Sequence, residues 1–189
     1  MGWVRNAYNL MAIQPLYGGT PSGTGTYGAG SLGLVTTGGT LRTNTSSGYH
    51  SRGVARIVGG TGNVWGIVVG TGTNAESVED YALQTLIAHG DGAGELYYQA
   101  QDAYDSGNTV YTSSTKTWAN QIGPRLFNNN SGGAIGVNEV GLYAQDMTVG
   151  TTIVAGPYLI VRTKLAAQVD VPDGGQLSAE YEIEVVMPV

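Results

Sequence analysis

Leu159-Ile160-Val161-Arg162-Thr163-Lys164-Leu165-Ala166-Ala167-Gln168-Val169-Asp170-Val171, then Pro172-Asp173-Gly174-Gly175, then Gln176-Leu177-Ser178-Ala179-Glu180-Tyr181-Glu182-Ile183-Glu184-Val185: this stretch decides the fold. Every second residue from Leu159 to Val171 is apolar or small, and the residues between are mostly polar. After the turn, Leu177, Ala179, Tyr181, Ile183, Val185 and Met187 share one face, with Ser178, Glu180, Glu182 and Glu184 on the other. Period two is the signature of a half-buried strand. The Pro-Asp-Gly-Gly segment has proline to preset the entry and glycine to supply positive φ. The spacing therefore predicts a hairpin over 157–188. Two strands are not stable alone, so their apolar face needs a second sheet.

Composition agrees with a β-rich chain. Of 189 residues, 31 are glycine and only 12 % are charged. Thr, Ser, Asn and Tyr are abundant, and there is one Phe. The length suits one domain with a buried core, or one domain plus an arm. A net charge of −6 with dispersed basic residues argues against a nucleic-acid partner, which needs a basic face. Without cysteine, disulfides, thiolate metal sites and a cysteine nucleophile are excluded. No apolar run approaches membrane-span length, and Met1-Gly2-Trp3-Val4-Arg5 lacks a signal-peptide core. The expectation is assembly in a cytoplasm, away from membranes.

Working outward, residues 125–143 read as another hairpin, with Arg125-Leu126-Phe127 leading through Asn128–Gly133 to Ile135–Tyr143. Residues 95–122 read as long strands with a turn near Asp105–Asn108. Residues 53–69 read as a hairpin around Gly60-Thr61-Gly62-Asn63. Those glycines are followed by a strand rather than a helix, so they cannot form a phosphate cradle. Thr73, Glu76, Ser77 and Asp80 form capping-box-like pairs. Val78, Tyr81, Ala82, Thr85, Leu86 and His89 follow at helical spacing, which predicts one short helix at 77–89. Residues 1–52 are expected to be an arm, with a flexible linker or wide loop as the alternative reading of 18–48. Trp3, Tyr8, Leu10, Met11, Ile13, Leu16, Tyr17 and Tyr27 are its anchors in a Gly/Ser/Thr-rich background too poor in apolar surface to fold alone. Residues 53–189 form the β domain. The fold expectation is an all-β, antiparallel, jelly-roll-like sandwich with one short helix and an extended N-terminal arm.

Chemistry-bearing residues are few. His50 and His89 have no local carboxylate partner that suggests a triad or metal pair. Asp102 and Asp105 lack a full calcium loop around them. Glu180, Glu182 and Glu184 stand roughly 7 Å apart along one strand face, a spacing that overlaps glycosidase carboxylates. They read more simply as a solvated face opposite Arg162 and Lys164 across the hairpin. No catalytic, cofactor-binding or metal-binding residue is expected, and the chain is expected not to be an enzyme. Tyr97, Tyr98, Tyr111 and Trp118 are candidates for an aromatic platform that would stack on sugar rings; filling a core or an interface is the alternative reading.

Taken together, Gly70-Thr71-Gly72-Thr73, Glu79–Leu83, Arg125–Asn129, Val137–Tyr143, Leu159–Arg162 and the Pro172–Tyr181 segment resemble β-sandwich virion structural proteins of tailed bacteriophages. That group includes capsid decoration proteins and tail or fibre components, and the likeness covers roughly residues 64–188. The resemblance implies a non-enzymatic virion subunit, assembled in the host cytoplasm, that associates with itself as a homotrimer. It would dock on the major capsid protein or on tail proteins, decorating and stabilising the shell. The alternative is a tail-tip or fibre domain that binds a cell-surface glycan. On the first reading the arm anchors touch the shell or neighbouring copies, and deleting residues 2–35 should leave a folded sandwich that no longer joins particles.

Overall fold

The computed structural model describes residues 2–8, 25–26, 34–42, 45–46, 61–101, 109–144 and 157–187, with backbone alone at 25–26, 42, 45–46 and 109. The strands in these residues are β1 (Gly2–Trp3), β2 (Gly25–Thr26), β3 (Leu34–Val35), β4 (Leu41–Arg42), β5 (Thr45–Ser46) and β6 (Gly66–Gly70). They continue with β7 (Tyr97–Tyr98), β8 (Thr109–Thr112), β9 (Thr117–Asn128), β10 (Ile135–Ala144), β11 (Tyr158–Val171) and β12 (Gln176–Val186). β2 pairs with β5, and β3 with β4, in short ribbons. The others build two antiparallel sheets. The first runs β1-β11-β10-β6; the second runs β12-β9-β7, with β8 on the other half of β9.

The all-β, antiparallel expectation holds. β6 is the apolar run Gly66-Ile67-Val68-Val69-Gly70 and is buried along its whole length. Its side chains join Leu142, Leu159 and Val161 of the first sheet and Phe127, Ile122 and Tyr181 of the second in one core. Each such side chain contributes about 1.5–3 kcal/mol when fully buried. The sheets meet face to face where Tyr181 Oη donates to the Val140 carbonyl at 2.8 Å. The described connections give a two-sheet sandwich; jelly-roll wrapping stays an expectation of the sequence.

The C-terminal hairpin does not form. β11 pairs with β10 and β1, whereas β12 pairs with β9 in the other sheet. The Pro172–Gly175 turn is therefore an arch between sheets. The segment from Phe127 to Ile135 is a second arch, since β9 and β10 also lie in different sheets. Asn129 locks the two together. It is fully buried, and its Nδ2 donates to the Val171 and Gly133 carbonyls at 2.7 and 2.8 Å. Its backbone exchanges hydrogen bonds with Gly174 and Gly175, at 2.7 and 2.9 Å. Gly174 sits at φ 71°, which a side chain would strain. β8 and β9 form a tight hairpin, turning at Ser113–Lys116 with Lys116 at φ 55°. The expected partner at 53–60 and the turn at Asp105–Asn108 lie outside the described residues; β6, the other half of the expected 53–69 hairpin, pairs with β10.

The helix at 77–89 is also absent: residues 71–90 are an irregular loop laid over the edge of β6. The local cap exists, with Ser77 N donating to Asp80 Oδ2 at 2.8 Å and Asp80 N to the Ser77 carbonyl at 3.1 Å. It does not propagate, because the amides a helix would need are taken elsewhere. Leu83 N donates to Tyr143 Oη, Gln84 N and Thr85 N to Glu139, and Ile87 N to the Val69 carbonyl. Tertiary partners outcompete a short helix whose own propensity is weak. Among the described residues, the one helical turn is at 5–8.

That turn belongs to the body. β1 pairs with β11, Val4 and Ala7 are 1 % and 2 % exposed, and Asn6 brackets Val35 with two 2.8 Å hydrogen bonds. Leu34 and Thr36 are buried as well. The boundary at 52 thus does not part an arm from a domain at 2–8 or 34–36. Deleting residues 2–35 would open the core, contrary to the expectation of an intact sandwich.

Candidate functional site

Two places gather side chains that could act. The first is inside the first sheet. Glu139 on β10 and Arg162 on β11 are 0 % and 2 % exposed. Arg162 Nε donates to Glu139 Oε2 at 2.8 Å, and Arg162 Nη1 to Asp80 Oδ2 at 2.8 Å. Glu139 Oε1 also accepts from Gly72 N and Thr85 N at 3.1 and 2.9 Å, while Oε2 accepts from Gln84 N at 3.2 Å. Gly70 is required here, since a Cβ would lie 2.6 Å from Glu139 Oε1 and 2.5 Å from the Thr85 carbonyl. Burial pulls the Arg162 guanidinium down, but bonds to Asp80 and Glu139 outweigh it and leave its pKa raised. Tyr143 accepts from Leu83 N at 3.0 Å, and burial pushes its phenol up to about 12. Every oxygen of Glu139 is engaged and none reaches solvent. The cluster clamps the 71–90 loop and offers no group to a substrate.

A comparable clamp sits in the second sheet. Arg125 is fully buried, with its guanidinium 5.1 Å from the Tyr98 ring centroid. It donates to the carbonyls of Gln99, Trp65 and Ile67 at 3.0, 2.9 and 2.8 Å, and to that of Gly62. Burial lowers its pKa to about 10. His89 is likewise structural: its Nδ1 accepts from Tyr98 N at 3.0 Å.

The second place is exposed. β9 and β12 run past the region where the first sheet covers them. By register, Ile122 stands opposite Tyr181, Asn120 opposite Ile183, and Trp118 opposite Val185, with Tyr111 of β8 on the other side of Trp118. These residues share the core face. Ile122 and Tyr181 are buried, but Trp118, Tyr111, Val185 and Met187 are 45 %, 42 %, 54 % and 37 % exposed. Tyr111 and Trp118 lie with ring centroids 5.5 Å apart and planes at 36°. Asn120 Oδ1 on this face is buried without a hydrogen-bond partner. The tip is thus a strip of core-type surface facing solvent.

The expected residues divide as follows. Tyr111 and Trp118 are brought together. Tyr98 is buried, its hydroxyl donating to the Ile87 and Val69 carbonyls at 2.7 and 3.2 Å, and cannot face a ligand. Tyr97 leans on His89 at 4.8 Å, and pairs with the far end of β9 at Asn128. Ten residues of strand separate that end from Trp118, roughly 30 Å at the usual rise. Four aromatics therefore do not make one platform. Trp3 packs partly buried against the core and Tyr8 is 52 % exposed, while Leu10, Met11, Ile13, Leu16, Tyr17 and Tyr27 lie outside the described residues. Glu180, Glu182 and Glu184 do not face Arg162 and Lys164: they are exposed on β12, beside β9, where Glu180 accepts from Gln121 at 3.2 Å.

Sequence reasoning missed Glu139, Arg125, Arg162 and Asn129 as the polar skeleton. A signal existed in a charge-poor chain, because Glu139 and Arg162 sit inside otherwise apolar runs. Beneath the first arch, a groove of about 410 Å³ opens between the sheets, lined by Val140, Leu165, Val169, Leu177, Ala179 and Tyr181. Thr163, Ser178, Glu180 and Glu182 add polar groups to its lining. Among the described residues no group of three or more His, Asp or Glu is placed to hold a metal ion, and no helix is long and apolar enough to cross a membrane. Compared with known proteins, the chain matches no family model, no curated protein and no solved structure.

Proposed function

We propose that this chain is a non-enzymatic virion structural subunit of a tailed bacteriophage that decorates and stabilises a shell by docking. The observation that carries the docking is the uncovered core face at Trp118, Tyr111, Val185 and Met187. Contiguous apolar surface of this kind marks interaction sites, and aromatic side chains are enriched in them. The likeness of Val137–Tyr143, Arg125–Asn129 and their neighbours to phage particle proteins supports the setting, in which copies of this chain meet the major capsid protein or tail proteins in the virion. A negative net charge supports a protein partner over nucleic acid. Association would add stability by mass action in a chain without disulfides.

Counting copies in purified particles tests the reading. Hundreds per particle support a shell component, and complete absence from particles overturns the virion role. Particles assembled with Trp118→Ala should carry at least ~10-fold fewer copies if this strip docks. A second reading rests on the Tyr111–Trp118 pair itself, two adjacent, tilted and partly exposed rings that could meet a sugar ring: a tail-tip or fibre domain binding a cell-surface glycan. Selective glycan-array signal that disappears with Trp118→Ala, together with a handful of copies per particle, would favour it.

A further inference from the structure

We infer that two copies of this chain join edge to edge through β8, with Tyr111 meeting its own counterpart across a two-fold axis. This deepens the docking reading above and rests on it. The inference comes from setting β8 beside the edges at β6, β7, β11 and β12. An edge strand exposes a row of backbone donors and acceptors, and native proteins cover it, bend it or charge it. β6 is covered: Thr71 N donates to the Thr85 carbonyl, Ile87 N to that of Val69, and Leu86 bridges to Gly70. β7 is covered, since Leu96 bridges to His89 and Tyr98 N donates to the His89 ring. β11 beyond β1 is capped at Lys164 N by Glu76 and bulged, because residues 165–168 stand against Asn138 alone. β12 carries the exposed row Glu180, Glu182, Glu184.

Among the described residues, β8 has none of these devices. Thr109-Val110-Tyr111-Thr112 contains no charge and no proline, Val110 is 55 % exposed, and among the described residues no strand pairs with its outer side. In a chain of net charge −6, this neutral edge lets two copies approach without setting like charges opposite each other. Pairing β8 onto a second copy's β12 would instead press Val110 and Thr112 against Glu182 and Glu184.

Side-chain alternation narrows the register, and continuity of the aromatic strip places the centre at Tyr111. Residues opposed in an antiparallel pair share a face, so a two-fold axis normal to the sheet passes through a residue, not between two. Centred on Tyr111, the pairing sets Val110 opposite Thr112 and Thr109 opposite Ser113. The strip Val185–Trp118–Tyr111 then runs on into the same strip of the second copy, reversed. Two half-buried aromatic surfaces become one continuous row. A two-fold contact is isologous and closes at two copies, so it does not build the trimer that the resemblance implies.

The absence of cysteine makes the test direct. In the full-length protein, Tyr111→Cys should form a disulfide-linked dimer under mild oxidation, because directly opposed Cβ atoms lie about 4.5–5.5 Å apart. Val110→Cys and Val185→Cys should not link, since neither meets its own copy. Val110→Lys should raise the dimer dissociation constant by at least ~10-fold in light scattering, by placing charge in the new sheet. A Val110→Cys dimer, or a Tyr111→Cys/Val185→Cys mixed dimer, would overturn the register or the partner strand. Failure of Tyr111→Cys to link while the wild type still self-associates overturns the β8 contact and leaves the docking reading standing. A wild type that stays monomeric at all concentrations yet still enters particles does the same. Monomers absent from particles overturn both.

Discussion

The two halves of the second sheet are made of the same strands, yet one is core and the other is surface. At the body end, Phe127 and Tyr98 are fully buried and Arg125 satisfies its guanidinium on backbone carbonyls. At the tip, Trp118, Tyr111 and Val185 are about half exposed on the same face of the same strands. Alternation continues through both halves. What changes is the layer opposite: the first sheet covers Ile122–Phe127 and ends before Trp118. An apolar face of a strand is therefore a demand for cover, and only the body end meets it within the described chain.

The largest expected effect strikes the body. Glu139→Ala leaves Arg162 buried beside the orphaned amides of Gly72, Gln84 and Thr85, which should cost about 3–5 kcal/mol in urea unfolding. Phe127→Ala should cost about 3–5 kcal/mol through the cavity it leaves. Trp118→Ala should change monomer stability by under about 0.5 kcal/mol, since its site is open. Equal losses for Phe127→Ala and Trp118→Ala would erase the contrast between the two ends.

Alkaline titration sharpens it. Burial raises the phenols of Tyr98, Tyr143 and Tyr181 above the ordinary 10.0, Tyr143 to about 12. The unfolded chain then releases these protons first. Their contribution is complete below pH 10 and is lost as pH climbs toward 12. Arg125 acts in the opposite sense: its pKa falls from 12.5 to about 10, so above pH 10 the unfolded chain holds that proton longer and stability gains. Three tyrosines against one arginine leave a net loss, and the midpoint in urea should fall steadily above pH 10. The smallest effect belongs to β12's rim, where Glu182→Lys should move stability by no more than about 0.5 kcal/mol.

Much of the fold was legible. The alternation of 159–185 and 135–143 identified strands, and β6 overlaps the 53–69 stretch that read as a hairpin. Pairing was not legible, because an arch and a hairpin bury the same alternate side chains. In a hairpin the two faces lie side by side; in an arch they look at each other across the core. The 77–89 error has a different origin: apolar spacing and caps suited a helix, but Glu139 and Tyr143, more than fifty residues away, take the amides at 83–85. As for the candidate surface, Tyr111 and Trp118 read together with Tyr97 and Tyr98 as one platform, with filling a core or an interface as the alternative. Their separation from Tyr97 and Tyr98 depends on which end of β9 each neighbour pairs with, and composition carries no trace of that.

By itself the sequence determined that this chain is built from antiparallel strands with one apolar face each, because side-chain alternation is a local consequence of backbone geometry. Tertiary structure alone decided which strands share a sheet, where the buried ion pair sits, and which stretch of core-type surface stays uncovered. Those outcomes depend on contacts between residues far apart in the chain, which local periodicity does not encode.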